Sequence, residues 1–163
     1  SGLTNGSKLL ACMLMIVGGS PAGTAGGIKT TTVAVLLLTA ISVLRGNKDT
    51  ECYGRKITFE IIRVGITITL VTFVFWLFGV TVMTVIEPQQ KVLDLMFEAT
   101  SAMATVGLTV DLTPVLSDIS HVVLMLMMYI GRIGPMTMAL IFSGHVDKKN
   151  QFRTLPEAKI MVG

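Results

Sequence analysis

An uninterrupted apolar stretch at 64–86 constrains the fold of this chain more than any other feature. Its 23 residues, VGITITLVTFVFWLFGVTVMTVI, include no charged side chain. With a rise of about 1.5 Å per residue, a helix of this length measures about 35 Å and exceeds the roughly 30 Å hydrocarbon core of a bilayer. A buried strand of a sheet does not run to such a length. The stretch therefore predicts a transmembrane helix.

The composition agrees with a membrane protein. Apolar residues make up 52% of the 163 residues, charged residues make up 14%, and the mean hydropathy is +0.74. Soluble domains average about 45–50% apolar and about 25% charged residues. So few charges cannot coat a soluble globule, and so apolar a chain does not stay disordered. The sequence offers no nucleophile–base pair, no paired acids and no cluster of metal ligands, so we expect neither an enzyme nor a bound cofactor.

A second apolar stretch, at 9–44, is interrupted by the sequence GGSPAGTAGGIKTTT. Glycine and proline in this number do not continue a helix. We predict two half-helices, at 9–17 and 31–44, joined by a Gly-rich loop at 18–29. Non-helical backbone at membrane depth is tolerated only where protein buries it or where it lines a cavity, and interrupted helices point to ion or substrate sites. Residues 1–44 are therefore predicted to form one broken transmembrane helix.

The order of segments in the rest of the chain predicts a pore module. The span at 64–86 (M1) is followed by an amphipathic helix at 93–103 (the pore helix, P), a non-helical return at 104–109 and a second span at 119–144 (M2). The pore helix, at about 16 Å, crosses only half of the membrane. The order M1–P–M2 is that of tetrameric cation channels. We therefore expect an all-α membrane protein built from pore modules.

Basic residues are distributed unevenly between the predicted loops. The loop at 45–63 holds five Lys and Arg residues and the tail at 145–163 holds four, whereas 87–120 holds only Lys91. By the positive-inside rule, the loop and the tail are cytoplasmic and the pore loop is extracellular. Contact with anionic lipid then accounts for the pI of about 9.0 without nucleic acid. We expect a multi-pass protein of the plasma membrane.

Four residues that follow the pore helix, Thr105, Val106, Gly107 and Leu108, are called here the filter segment. Potassium filters use a run such as TVGYG, in which backbone carbonyl oxygens replace the hydration shell of the ion. Gly107 gives the backbone the freedom to turn a carbonyl inward. The segment therefore predicts K⁺ binding by filter carbonyls, and no other metal site is expected.

Three motifs carry a resemblance to a known family. FEATSAMATVGLTVDLTP and YIGRIGPMT resemble the fourth repeat of the Ktr/Trk/HKT potassium transporters, and GGSPAGTAGGIKTTT resembles the broken second helix of their third repeat. In that family one chain carries four M1–P–M2 repeats around a pseudo-fourfold axis. The resemblance implies that this chain holds the second helix of repeat 3 and all of repeat 4. Because it begins at Ser1, we expect the C-terminal piece of a longer protein whose N-terminal repeats complete the pore.

The resemblance also implies roles for individual residues. The filter segment matches the fourth filter strand, and the Gly-rich loop matches the gate beneath the filter. Arg132 matches an arginine of the last M2 helix that lies close to this gate, and Lys29 is a second charge beside it or an interfacial anchor. The implied gating residues are Gly18, Gly19, Ser20, Pro21, Ala22, Gly23, Thr24, Ala25, Gly26 and Gly27.

The partners that the resemblance implies are membrane lipid, a second copy in a homodimer and a cytosolic regulatory ring that binds nucleotide. The nucleotide is expected on the ring and not on this chain. The run GTAGGIKT departs from a phosphate-binding P-loop, because Ile28 stands where that motif requires glycine.

Several alternatives are open from the sequence. Beside potassium uptake through a loop-gated filter stand transport of sodium or another monovalent cation, a non-conducting membrane scaffold, and a secondary transporter of another solute. A charge such as Arg132 costs about 2.5–3.5 kcal/mol at mid-membrane on insertion scales. Its candidate partners are Glu98 and the carbonyls of 19–27, and its role is either to hold the gate or to tie two repeats together.

Overall fold

The computed structural model describes residues 2–20, 26–46, 50–52 and 55–134, with Arg55 described by its backbone alone. Over these ranges the chain is mostly helical. The elements in chain order are α1 Asn5–Ile16, α2 Thr30–Leu44, β1 Glu51–Cys52, β2 Arg55–Lys56, α3 Phe59–Ile86, α4 Val92–Met103, a 3₁₀ turn at Thr113–Val115, and α5 Asp118–Ile133.

Helix α3 is the one helix within the described ranges that is long and apolar enough to cross a membrane. It has 28 residues and begins at Phe59, five residues before the predicted span. The hydroxyl groups of the threonines inside it are all paired, because each donates to the carbonyl four residues earlier. The donors are Thr67, Thr69, Thr72, Thr81 and Thr84. The helix thereby satisfies its polar groups internally, as a hydrocarbon environment requires.

The predicted loop 45–63 is more ordered than the sequence indicates. Glu51–Cys52 and Arg55–Lys56 pair antiparallel, with Glu51 opposite Lys56. Two-residue strands carry no readable alternation of apolar and polar residues, so the sequence pattern could not predict this hairpin.

Helices α1 and α2 are separated by the Gly-rich loop. The chain leaves α1 at Val17, and Val17 forms a parallel bridge with Ile28, just before α2. The N–H of Gly18 donates to the carbonyl of Ile28 (2.7 Å), and the N–H of Ile28 donates to the carbonyl of Ile16 (3.1 Å). The two half-helices are thus joined at their inner ends by strand-like hydrogen bonds.

Helix α4 is the centre of the fold and packs against α1, α3 and α5. Leu95 and Ala99 are fully buried, and Phe97 is nearly so. The indole N–H of Trp76 on α3 donates to the Thr100 hydroxyl (2.9 Å), which in turn donates to the carbonyl of Met96. With 12 residues, α4 is about 18 Å long. Because α4 is buried from Phe97 to Met103, the residues that follow its C-terminal end start from a fixed position.

Helix α5 corrects the prediction of one continuous span at 119–144. The helix ends at Ile133, because Gly134 has φ 85° and ψ 138°, which is not a helical conformation. Pro135 follows in the sequence, and a residue before proline is driven out of the α region. The rest of the predicted span and the tail 145–163 lie outside the described residues.

The start of α5 is held by the end of α3. The carboxylate of Glu87 accepts the N–H of Ser117 (2.8 Å) and the hydroxyl of Ser120 (2.9 Å). Hydrogen bonds from Ser117, with a further one from Ser120, lower the pKa of Glu87 below its ordinary value. The connection between M1 and M2 is therefore anchored at both of its ends.

An ion pair that the sequence analysis missed joins α1 to α4. The ammonium of Lys8 lies 2.5 Å from a carboxylate oxygen of Asp94, and their side chains are 10% and 20% exposed. Asp94 lies in the first turn of α4, where a negative charge also favours the helix dipole. The pair ties the first half of the predicted broken helix to the predicted pore helix.

Removing one member of this pair destabilises the protein. Asp94→Asn leaves the more buried Lys8 charge unpaired, so it is expected to cost about 3–5 kcal/mol, and Lys8→Met, which leaves the less buried Asp94, is expected to cost less. The double variant Lys8→Met/Asp94→Leu recovers part of the loss. The apparent Tm of the purified protein in detergent measures the effect. Lys91→Met, at an exposed neighbouring position, is the control, and an equal Tm for Asp94→Asn and Lys91→Met contradicts the assignment.

Candidate functional site

The filter segment begins at a sharp helix end. The N–H of Thr105 donates to the carbonyl of Ala102 (3.1 Å), and the N–H of Val106 donates to that of Ser101 (3.0 Å). These two bonds form a Schellman motif at the end of α4, with Thr105 at the left-handed position that glycine usually occupies. Thr105 has φ 54°, a conformation that strains a β-branched residue by about 1–3 kcal/mol.

The backbone of the filter segment alternates in hand. Thr105 and Gly107 have φ of 54° and 82°, whereas neither Val106 nor Leu108 has a positive φ. Positive φ at these two positions turns the chain at Thr105 and again at Gly107. A Cβ at Gly107 would meet no heavy atom within 4 Å, so the requirement for glycine is one of conformation and not of space. This arrangement is suited to coordination of an ion by carbonyl oxygens.

The Gly-rich loop contacts the first residue of the filter segment directly. The N–H of Gly26 donates to the hydroxyl of Thr105 (2.8 Å). A Cβ at Gly26 would lie 2.9 Å from that hydroxyl oxygen and 3.0 Å from the carbonyl of Gly131. Gly27 has φ 77°. The hydroxyl of Thr105 thus accepts a hydrogen bond that a glycine at this strained position could not accept.

Helix α5 crosses the end of α4 at backbone distance. A Cβ at Gly131 would lie 1.9 Å from the carbonyl oxygen of Met103. The structure therefore brings three elements together at one point: the end of the Gly-rich loop, the end of α4 and the last turn of α5. The sequence analysis did not identify Gly131 as part of this site. A small residue within an otherwise apolar helix was the signal for it.

Arg132 lies beside the filter segment. Its side chain is exposed, and it lines a cavity of about 460 Å³ with Thr105, Gly107, Ser101, Met128 and Tyr129. Lys29, in contrast, is the exposed N-cap residue of α2. The two predicted gate-associated charges therefore have different surroundings, and the one on α5 faces the space next to the filter segment.

Glu98 was one of two partners considered for Arg132. In the structure, its carboxylate binds residues that follow the filter segment. Its carboxylate accepts the N–H of Val110 (3.0 Å) and the hydroxyl of Thr113 (3.0 Å), and it also accepts the hydroxyl of Thr109. Residues 109–113 are called here the post-filter loop. Glu98 therefore holds the chain immediately beyond the filter segment.

The predicted gating residues are described in part. Gly18 and Gly19 take part in the hydrogen bonds that join the half-helices, Ser20 is exposed, and Gly26 and Gly27 lie against the end of α4. The remaining five predicted gating residues lie outside the described residues. They are Pro21, Ala22, Gly23, Thr24 and Ala25.

Comparison with known proteins gives the family. The TrkH family, described as cation transport protein, matches residues 1–153. The chain is 34% identical to the Ktr system potassium uptake protein B of Bacillus subtilis, over 99% of this chain and 35% of that protein. It is also 34% identical to the potassium/sodium uptake protein NtpJ of Enterococcus hirae, over 99% of this chain and 36% of that protein.

A third relative, the Ktr system potassium uptake protein D of Bacillus subtilis, is 31% identical over all of this chain and 36% of its own length. The mostly helical fold, with its one long apolar helix, fits a membrane transport protein. The chain belongs to the TrkH family of cation transport proteins, which confirms the resemblance to the Ktr and Trk transporters. The chain spans about a third of the length of these relatives.

The crossing at Gly131 yields a stability prediction. Gly131→Ala places a methyl group so that it overlaps the carbonyl oxygen of Met103, and it is expected to destabilise the protein by about 3 kcal/mol or more. Gly65→Ala is the matched control, because it also lies within an apolar helix but its Cβ would be 3.5 Å from the nearest atom. That variant is expected to stabilise the helix by up to about 1 kcal/mol. Apparent Tm and yield in detergent compare the two, and equal stability contradicts the close crossing.

Proposed function

We propose that this chain is the part of a potassium uptake protein that supplies one of the strands of its selectivity filter. The observation that carries the proposal is the filter segment itself. Helix α4, buried from Phe97 to its end, finishes in a Schellman motif at Thr105, and the backbone that follows passes through Gly107 at φ 82°. A glycine at positive φ just after a half-membrane helix suits a strand whose carbonyls coordinate K⁺. The names of the relatives, potassium uptake proteins and a potassium/sodium uptake protein, support it.

The proposed mechanism is dehydration of the ion by backbone carbonyls. Oxygens of residues 105–108 replace part of the hydration shell, and three further strands from other repeats of a longer protein supply the rest. The length of the relatives, about three times that of the chain, leaves room for these repeats. K⁺ is the cargo in this mechanism, no cofactor is needed on this chain, and no bond is made or broken, so the protein is not an enzyme.

We further propose that the Gly-rich loop gates the filter. Its described end lies against Thr105 through the N–H of Gly26, and the surrounding residues are glycines whose Cβ atoms would meet backbone. Arg132 lines the cavity beside the same residues. Its positive charge there opposes a cation when the gate is closed, because like charges repel.

The remaining parts of the proposal concern the setting in the cell. The basic loop 45–63 and the tail 145–163 face the cytoplasm of a plasma membrane, and the pore loop faces outside. A homodimer with a cytosolic nucleotide-binding ring completes the system. Two of the relatives are named as proteins of a Ktr system, which supports a protein that works with further components.

Transport of sodium beside potassium is the second candidate function. The name of the Enterococcus relative, a potassium/sodium uptake protein, is the observation that favours it. The filter segment alone does not separate the two ions, because selectivity depends on all strands around the axis.

Substitution of Gly107 tests the filter. Gly107→Ala in the full-length transporter forces an L-residue into a left-handed conformation at a cost of about 1–2 kcal/mol, so the peptide group reorients. The expected result is a roughly tenfold or greater loss of Rb⁺ uptake by uptake-deficient cells.

Gly46→Ala is the matched control, because Gly46 also has a positive φ, 72°, and open space around it, but it follows α2 and lies away from the filter segment. Native uptake by both variants at equal protein levels contradicts the filter assignment.

Arg132 is tested separately by the flux through the unstimulated transporter. If its charge contributes about 1 kcal/mol to the closed-state barrier, Arg132→Ala raises basal Rb⁺ flux about fivefold. Arg63→Ala, which removes an exposed arginine from the first turns of α3, leaves the flux unchanged. A flux through Arg132→Ala that is equal to or below native, at native protein levels, overturns this role.

A further inference from the structure

The middle of the filter segment has little support of its own. The side chains of Val106 and Leu108 are exposed, and a Cβ at Gly107 would meet nothing within 4 Å. Packing therefore does not fix the backbone between Thr105 and Thr109. Its shape depends on how the two ends are held.

The first end is fixed to α4 by the Schellman motif. Thr105 and Val106 donate to carbonyls of Ala102 and Ser101, both of which are buried. Any displacement of the start of the segment would break these bonds. The start is therefore part of the rigid pore helix.

The second end is fixed to the same helix by Glu98. The side chain is 5% exposed, and its two oxygens accept hydrogen bonds from the hydroxyl of Thr109, the N–H of Val110 and the hydroxyl of Thr113. Charge-assisted bonds of this kind are about twice as strong as neutral ones. A buried carboxylate with several donors is stable, and it holds those donors in place.

The post-filter loop is wrapped around this carboxylate. Asp111 takes φ 63°, and its N–H donates to the hydroxyl of Thr109 (3.1 Å). The hydroxyls of Thr109 and Thr113 lie 3.0 Å apart. Aspartate tolerates the left-handed conformation because its short polar side chain can hydrogen-bond locally. The turn at 109–113 thus closes around Glu98.

We propose that Glu98 is the positioning residue of the filter, and that it sets the discrimination between K⁺ and Na⁺ by fixing the Leu108 end of the filter segment. Both ends of the filter segment are then attached to α4, so the distance between the two ends is constant. The carbonyl oxygens of Val106 to Leu108 keep a spacing that suits one of the two ions, but they do so only while both ends of the segment are held in place. This inference rests on the proposed function and adds to it the residue that controls specificity.

Two substitutions of Glu98 separate its charge from its shape. Glu98→Gln keeps the shape and one acceptor oxygen but removes the charge, and Glu98→Ala removes all three bonds. In the full-length transporter, the ratio of Rb⁺ to Na⁺ uptake is expected to fall roughly fivefold in Glu98→Gln, from loss of charge-assisted bonding, and more in Glu98→Ala. Glu60→Gln, at an exposed acid in the first turn of α3, removes the same charge and is expected to keep the native ratio.

The partner residues give a second pair of variants that leaves Glu98 in place. Thr113→Val removes the hydroxyl donor at constant shape and is expected to lower the ratio, whereas Thr113→Ser keeps the donor and is expected to restore it. A purely structural role of Glu98 would change the amount of protein and not the ion ratio per molecule. This pair decides the question if Glu98→Ala does not accumulate.

The outcomes distinguish this inference from the proposed function. No ion uptake by the native transporter overturns the proposed function and this inference with it. Selective uptake by the native protein, with the same ion ratio in Glu98→Gln and in Thr113→Val, overturns the positioning role alone. A lowered ratio in both, with rescue by Thr113→Ser, establishes it.

Discussion

A helix that is broken inside a membrane must find partners for its backbone without water, and the rest of this structure depends on how that is done. The N–H of Gly18 donates to the carbonyl of Ile28 and the N–H of Ile28 donates to that of Ile16, so the facing ends of the two half-helices are joined. The N–H of Gly26 donates to the Thr105 hydroxyl. The same bonds that make the break tolerable thus place the Gly-rich loop against the filter segment. Close approach of α5 at Gly131 completes the junction.

Features that depend on local sequence could be predicted. The uncharged stretch at 64–86 predicted the position of α3, because an apolar stretch of that length matches a helix that crosses a membrane. Glycines and a proline between two apolar runs gave the gap between α1 and α2. The TVG run after a short amphipathic helix placed Gly107 in a backbone that needs a positive φ. Each of these rests on residues that are neighbours in the chain.

Features that depend on contacts between distant residues could not be predicted. Lys8 and Asp94 are 86 residues apart, and nothing in either local sequence selects the other. Glu98 was considered as a partner of Arg132, because its actual donors, such as the N–H of Val110, carry no sequence signal. The end of α5 at Gly134, in contrast, does have a local sequence signal, because Pro135 follows it. The prediction passed over that signal because the residues after Pro135 are again mostly apolar.

The central claim is that backbone carbonyls at 105–108 bind the transported ion. The most direct test is anomalous diffraction from crystals of the full-length transporter grown in Rb⁺ or Tl⁺. The account predicts an anomalous peak on the pore axis, within coordination distance of the carbonyl oxygens of this segment, that weakens when Na⁺ replaces most of the heavier ion. Ordered ions found only elsewhere, with these carbonyls in contact with water alone, would contradict it.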